Sequence, residues 1–256
     1  MCGRYVSATP PDELARYFAA AAPSREELLE PNYNVAPTDD VFAVLQRDGV
    51  RRLDVFRWGL VPRWAKDPKI GSRMINARSD GLAEKNAFKF AFARKRCIVP
   101  ADGFYEWKRT GGVAPKQPMF IHRADGAPLA FAGLWESWPD PRSAAAAGAE
   151  PEPGRDAPVL HSCTIITTTP NQKMAAVHDR MPVILDEDVW ATWLDEDNHD
   201  LDALGHLLVP APDDVIDLYP VSREVNTVSN DGPQLIARVE PAAFEAHDQL
   251  SLLDAE

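Results

Sequence analysis

Residues 41–56 read VFAVLQRDGVRRLDVF, and the Asp48-Gly49 pair near their centre decides the fold class. Gly tolerates the positive φ of a tight primed turn, so the β-rich runs Val41 to Leu45 and Val50 to Phe56 are expected to face each other as a hairpin. Working outward, further strands are expected at 97–99, 104–108, 119–122, 129–135, 159–168 and 183–185. Asp102-Gly103 and Asp125-Gly126 supply turn chemistry between several of them. Thr9-Pro10-Pro11-Asp12-Glu13 reads as a helix start: a cap, a proline in the first turn, and acids at the positive end of the dipole. Leu14, Tyr17 and Phe18 give that helix its apolar stripe. More helices are expected at 84–94, 186–195 and 200–208, the second capped by Asp186 with Val189, Trp190, Trp193 and Leu194 on one face. Strands and helices do not alternate as in a doubly wound fold. The expectation is an α+β domain built on a largely antiparallel sheet flanked by helices.

The chain has 256 residues, 45% of them hydrophobic and 9% aromatic, enough for a sizeable core. Neither a secretory signal nor an apolar stretch of about 20 residues is present, which makes a cytoplasmic protein with no membrane association the expectation. Cys2, Cys97 and Cys163 form no CxxC pair, so reduced thiols are expected instead of a disulfide framework or zinc knuckle. HExxH, P-loop and GxGxxG patterns are absent, and neither a metal nor an organic cofactor is inferred. The net charge of −12 argues against nucleic acid, but residues 51–109 hold 15 Lys and Arg against 6 Asp and Glu, a local +9. Solvated faces with charges paired in space would explain the same run. The segment 139–158, PDPRSAAAAGAEPEPGRDAP, has little to bury and reads as a flexible insertion between strands. Residues 236–256 read as an acidic tail.

Met-Cys-Gly at the start invites removal of Met1, which leaves Cys2 with an amine and a thiol on adjacent carbons. A free α-amine titrates at ~7.7–8.0 and a thiol at ~8.5, so both are within reach of nucleophilic reaction near neutrality. Such a 1,2-aminothiol condenses with an aldehyde to an imine and then closes a thiazolidine. An N-terminal Cys-Gly also occurs in glutamine amidohydrolases, whose thiol attacks an amide with the α-amine as base. A third reading makes Cys2 incidental, in a noncovalent single-stranded DNA-binding module. The first residues do not separate these readings.

Five further stretches stand out: NYNVAP at 32–37, RWGLVP at 57–62, INARSD at 75–80, ADGFYEWK at 101–108 and HDRMP at 178–182. With MCGR at 1–4, they closely resemble, in order, the motifs of the SRAP family of abasic-site processing proteins, over residues 1 to about 235. The resemblance implies a single barrel-like domain and one pocket holding Cys2, Asn76, Glu106 and His178. It further implies a partner, single-stranded DNA with an abasic site, an SOS-type damage response, lyase activity through the imine, and an associated peptidase activity. Removal of Met1 by the site itself or by a host aminopeptidase both remain open. A monomer is expected.

In residue terms, Glu106 on its strand points opposite Tyr105 and Trp107, whose rings can shield it and suit it to proton transfer. His178 in a loop can serve the sugar oxygen, and Asn76 can orient the amine or sugar without titrating. Arg4 and Arg78 are candidates to hold phosphates, and Trp64 to stack on a base. Bland alternatives are a surface ion pair for Glu106, a solvated loop histidine for His178, a turn or helix cap for Asn76, and packing for Trp58, His122 and His161.

Overall fold

The computed structural model describes residues 2–24, 28–108, 116–139 and 159–240. Met1, the 139–158 insertion beyond Pro139, and residues 241–256 lie outside them. The strands are β1 (Tyr5–Ser7), β2 (Asn32–Val35), β3 (Asp40–Arg47), β4 (Val50–Trp58), β5 (Asn76–Arg78) and β6 (Arg96–Ala101). β7 (Gly103–Lys108), β8 (Gln117–Arg123), β9 (Leu129–Pro139), β10 (Val159–Thr168), β11 (Met181–Pro182) and β12 (Ile216–Pro220) follow. Among the described residues the α-helices are short: α1 (Pro11–Tyr17), α2 (Lys89–Arg94), α3 (Gln172–Ala175), α4 (Trp190–Leu194) and α5 (Leu201–His206).

The β3–β4 hairpin forms in the expected register, Arg47 opposite Val50, with Asp48 and Gly49 at φ 51° and 73°. It seeds a closed sheet, because β3 also pairs with β6, β6 with β9, β9 with β10, and β10 returns to β4. Closure leaves these strands without free edges and explains the unbroken run VFAVL. Val41, Ala43 and Leu45 fill the barrel while Phe42 and Val44 pack outward, under helices that contribute Leu14, Phe18, Trp190 and Trp193. The second sheet, in order β12-β8-β7-β1-β2, is entirely antiparallel.

β10 is parallel to β4 and to β5, pairings between segments about a hundred residues apart that no local signal announces. The route to β5 depends on two glycines. Gly59, at φ 126°, crosses Gly71 so closely that a Cβ on either would lie 2.5 Å from the other's carbonyl oxygen. Leu60 N–H then donates to Met74 O at 3.1 Å, and the buried Trp58 indole to Ile75 O at 2.9 Å, which delivers Asn76 beside Ile165 of β10.

Several expectations are corrected. Pro10 occupies the N-cap of α1, because the Thr9 hydroxyl donates to Asp102. The helix expected over 84–94 is confined to Lys89–Arg94, and turns bonded Lys85 to Gly81 and Phe88 to Lys85 precede it. Residues 186–195 divide into a 3-10 turn (Glu187–Val189) and α4, with no capping bond from the Asp186 side chain. The strand expected at 183–185 lies at Met181–Pro182. The following residues instead lace β10 to β9 through Val183 N–H to Ile166 O and Leu185 N–H to Ala130 O. β1, β2, β5 and β12 went unread in the sequence. The tail begins later than residue 236: Arg238 bridges to Val221, and the Tyr219 hydroxyl donates to Ile236 O.

Candidate active site

β1 is the seam on which the site is built. It pairs with β7 in antiparallel register, Tyr5 opposite Phe104, and Tyr105 N–H donates to Arg4 O at 3.0 Å. Continuing that register sets Glu106 opposite Gly3, next to Cys2. Both Cys2 and Glu106 are buried. From the other side, the Asn76 Nδ2 donates to Cys2 O at 2.7 Å, while Asn76 Oδ1 is buried and accepts no bond among the described residues.

The electrostatics follow from this enclosure. Burial above all, and then the negative charge of Glu106, pushes the Cys2 thiol far above its ordinary range. Thiolate and carboxylate disfavour each other, so a proton taken up by Glu106 eases ionisation of the sulfur. The charge of Glu106 and the ionisation of Cys2 are thereby coupled.

His178 follows α3 in a loop, its N–H donating to Met174 O. Its Nδ1 lies 3.1 Å from Arg180 N and 2.9 Å from an Asp179 carboxylate oxygen. One nitrogen cannot accept and donate at once. In the neutral ring Nδ1 accepts from Arg180 N–H and Nε2 carries the proton. In the imidazolium, Nδ1 turns to the exposed Asp179.

Beside the loop, Asp80 Oδ1 bridges two guanidiniums, Arg78 Nε at 3.3 Å and Arg180 Nη1 at 3.3 Å. Arg180 also donates to Thr167 O at 2.6 Å, and Thr167 is the β10 partner of Arg78. Slight burial opposes it, but Arg78 and then Arg180 hold the Asp80 carboxyl below its usual range. Arg180 and Asp80 stand inside motifs quoted from the sequence and received no role there, because their pairing crosses a hundred residues. Arg4 departs from a free phosphate fork: its Nη1 donates to Asn34 Oδ1 at 2.8 Å and to Val225 O at 3.1 Å. It fastens β1 to the segment after β12.

Arg78 and Trp64 are exposed, whereas Trp58 is core, edge-on to Tyr5. His122 stacks on Phe120 and His161 on Phe56, as packing residues do. Burial, then Arg47 and Lys95, push His161 below the usual imidazole range. Among the described residues, no group of three or more His, Cys, Asp or Glu is arranged to hold a metal ion.

A sequence model of the family described as SOS response associated peptidase (SRAP) matches residues 1–228. The abasic site processing protein YoqW of Bacillus subtilis is 42% identical over 236 residues, 92% of this chain and 99% of that one. The abasic site processing protein YedK of Escherichia coli is 34% identical, covering 93% of this chain and all of its own length. HMCES of Pongo abelii, also named an abasic site processing protein, is 33% identical over 94% of this chain and 77% of its own. Among solved structures, a protein from Bacteroides thetaiotaomicron superposes with a TM-score of 0.79 at 23% identity, covering 93% of this chain and 100% of that one, a likeness of fold.

Proposed function

Because the chain belongs to the SOS response associated peptidase (SRAP) family, we propose that it captures the aldehyde of an abasic site in single-stranded DNA on Cys2, forming a covalent thiazolidine that shields the lesion. The observation that carries this reading is the Asn76 amide: its nitrogen holds the carbonyl of Cys2, the residue on which buried Glu106 acts, while its own buried oxygen accepts no bond among the described residues. An α-amine on Cys2 is a donor for that oxygen. It comes into being when the Met1–Cys2 peptide bond is cut, by the site's own groups or by an aminopeptidase.

The steps follow from the residue types. The sugar opens to its C1′ aldehyde as the His178 imidazolium gives its Nε2 proton to the ring oxygen and the C1′ hydroxyl passes its own proton to Glu106. The Cys2 amine adds to the carbonyl carbon, and Glu106 relays both nitrogen protons, one after the other, to the departing oxygen. One water leaves and an imine remains. The thiol sulfur then adds to the imine carbon, its proton passes to nitrogen, and the five-membered ring closes. If a base instead removes a C2′ proton from the imine, the 3′ phosphate is expelled, which is the lyase reaction. Arg78 and Arg180 stand where flanking phosphates can replace the Asp80 carboxylate, and exposed Trp64 can stack on a base.

The test is to incubate the protein with an oligonucleotide bearing one abasic site, then run a denaturing gel and measure intact mass. Expected is a species equal to the chain from Cys2 plus the oligonucleotide less one water, absent for Cys2→Ala. Equal crosslinking by Cys2→Ala sinks the proposal. Binding without a covalent species would favour the noncovalent module, and glutamine hydrolysis the amidohydrolase.

A further inference from the structure

Trp64 and Phe90 are the two aromatics among the large hydrophobic side chains exposed in the described residues, at 59% and 47% exposure. They line one cavity of about 330 Å³, together with Asn86. Beyond Phe90 lies a second cavity of about 310 Å³ edged by Arg47, Arg94 and Lys95. Beyond Trp64 lies a third, of about 380 Å³, edged by Lys66, Lys69 and Arg73. Each aromatic is thus shared between the central cavity and a basic one.

The carboxylates near these cavities cancel the basic edges only in part, since Arg96 also lines the Arg47 cavity and Asp67 alone faces Lys66, Lys69 and Arg73. Glu136 lines the central cavity and is paired with Lys95. Asp67 accepts from the Lys69 backbone N–H, while Asp48 and Glu196 sit at the rim of the Arg47 cavity. The Arg47 guanidinium and the Lys95 ammonium each lie 4.9 Å over the buried Trp135 ring, and Lys95 also sits 5.6 Å over one face of Phe90. The remaining surface of Phe90 is therefore the open one. Arg73 leads within three residues into β5, which carries Asn76 and Arg78.

We propose that the slot between Trp64 and Phe90 takes an unstacked nucleobase, and that the cationic cavities on either side take the adjoining phosphates of the same single strand. This extends the DNA reading above, on which it rests, from the lesion to a track across the neighbouring face. Flat π-faces with cations to either side suit any base, so the track confers affinity without sequence preference. Asn86 can meet the base edge as donor or acceptor.

The experiment titrates an intact oligothymidine, lacking any abasic site, by fluorescence anisotropy across a range of salt. Phe90→Ala is expected to weaken binding about tenfold, the effect of losing one stacked base, and Phe90→Trp to restore it. Arg47→Glu with Arg94→Glu is expected to flatten the logarithmic salt slope by about 1.4, at ~0.7 per phosphate contact. Affinities and slopes equal to wild type overturn the proposal, as does failure of Phe90→Trp to recover what Phe90→Ala loses. A parallel arm measures crosslinking to a short abasic oligonucleotide that spans the reactive pocket alone. Loss of crosslinking by wild type defeats the reading of Cys2, whatever the titration shows. Normal crosslinking with an unmoved titration defeats the track alone.

Discussion

The charge of Glu106 opposes ionisation of the Cys2 thiol, so neutralising it has a predictable sign. In Glu106→Gln the thiol ionises more readily, and the pH profile of its alkylation by iodoacetamide moves to lower pH. Crosslink formation or reversal is expected to slow in the same variant, because the proposed proton carrier is gone. An unmoved alkylation profile would separate the two groups, and unchanged crosslinking rates would remove Glu106 from proton transfer. At this scale the candidate residues were legible from residue types and the motif resemblance, but the shielding expected of Tyr105 and Trp107 was not: their rings pack with Val6 and Phe120 on the opposite face of β7, while Glu106 acts on Cys2. What the sequence withheld was commitment of side chains to distant partners. Arg4 reads as a free guanidinium until Asn34 and Val225 are placed against it, and Asn76 reads as a turn residue until β10 makes it a strand.

Secondary structure was legible where its cause is local. Asp48-Gly49 dictates its hairpin, and Asp200 caps its helix by accepting from Ala203 N–H at 2.9 Å. The three-residue strands β1 and β5 are held by neighbours rather than propensity, and they carry the site. Gly133 of β9 illustrates how tightly such neighbours fit: an added Cβ would lie 2.9 Å from Cys97 Sγ and 3.1 Å from Thr164 O. Gly133→Ala should destabilise the protein by about 1–3 kcal/mol, the usual cost of overpacking. Pairing it with Cys97→Ala should recover part of the loss, since only the sulfur contact is relieved. A urea double-mutant cycle measures that coupling, and strict additivity would show that the two side chains do not compete for space.

Across the whole molecule, burial raises the thiols of Cys2, Cys97 and Cys163 together. Unfolded thiols ionise near ~8.5 while the folded ones keep their protons, so stability is full below that pH and falls as pH rises through it. Each thiol contributes a slope of up to about 1.4 kcal/mol per pH unit. Urea midpoints under reducing conditions should therefore drop between about pH 8.5 and 10, and Cys163→Ala should show a shallower decline than wild type. A flat profile in wild type would contradict such burial. The α+β class and the antiparallel bias could be seen in the residue pattern, whereas the barrel was legible only through the motif resemblance, because its closure hangs on β10 finding β4 and β9 at long range. That topology also sets an order in time. Cys2 leaves the ribosome before any strand that will cover it, yet in the finished fold it has no exposed surface. A soluble aminopeptidase can grip the Met1–Cys2 bond on the nascent chain, before β7 is made and docks beside β1. Under the proposed capture chemistry, a chain that folds with Met1 in place relies on its own groups to cut the bond, so the speed of translation relative to folding would set how many molecules become competent to bind an aldehyde.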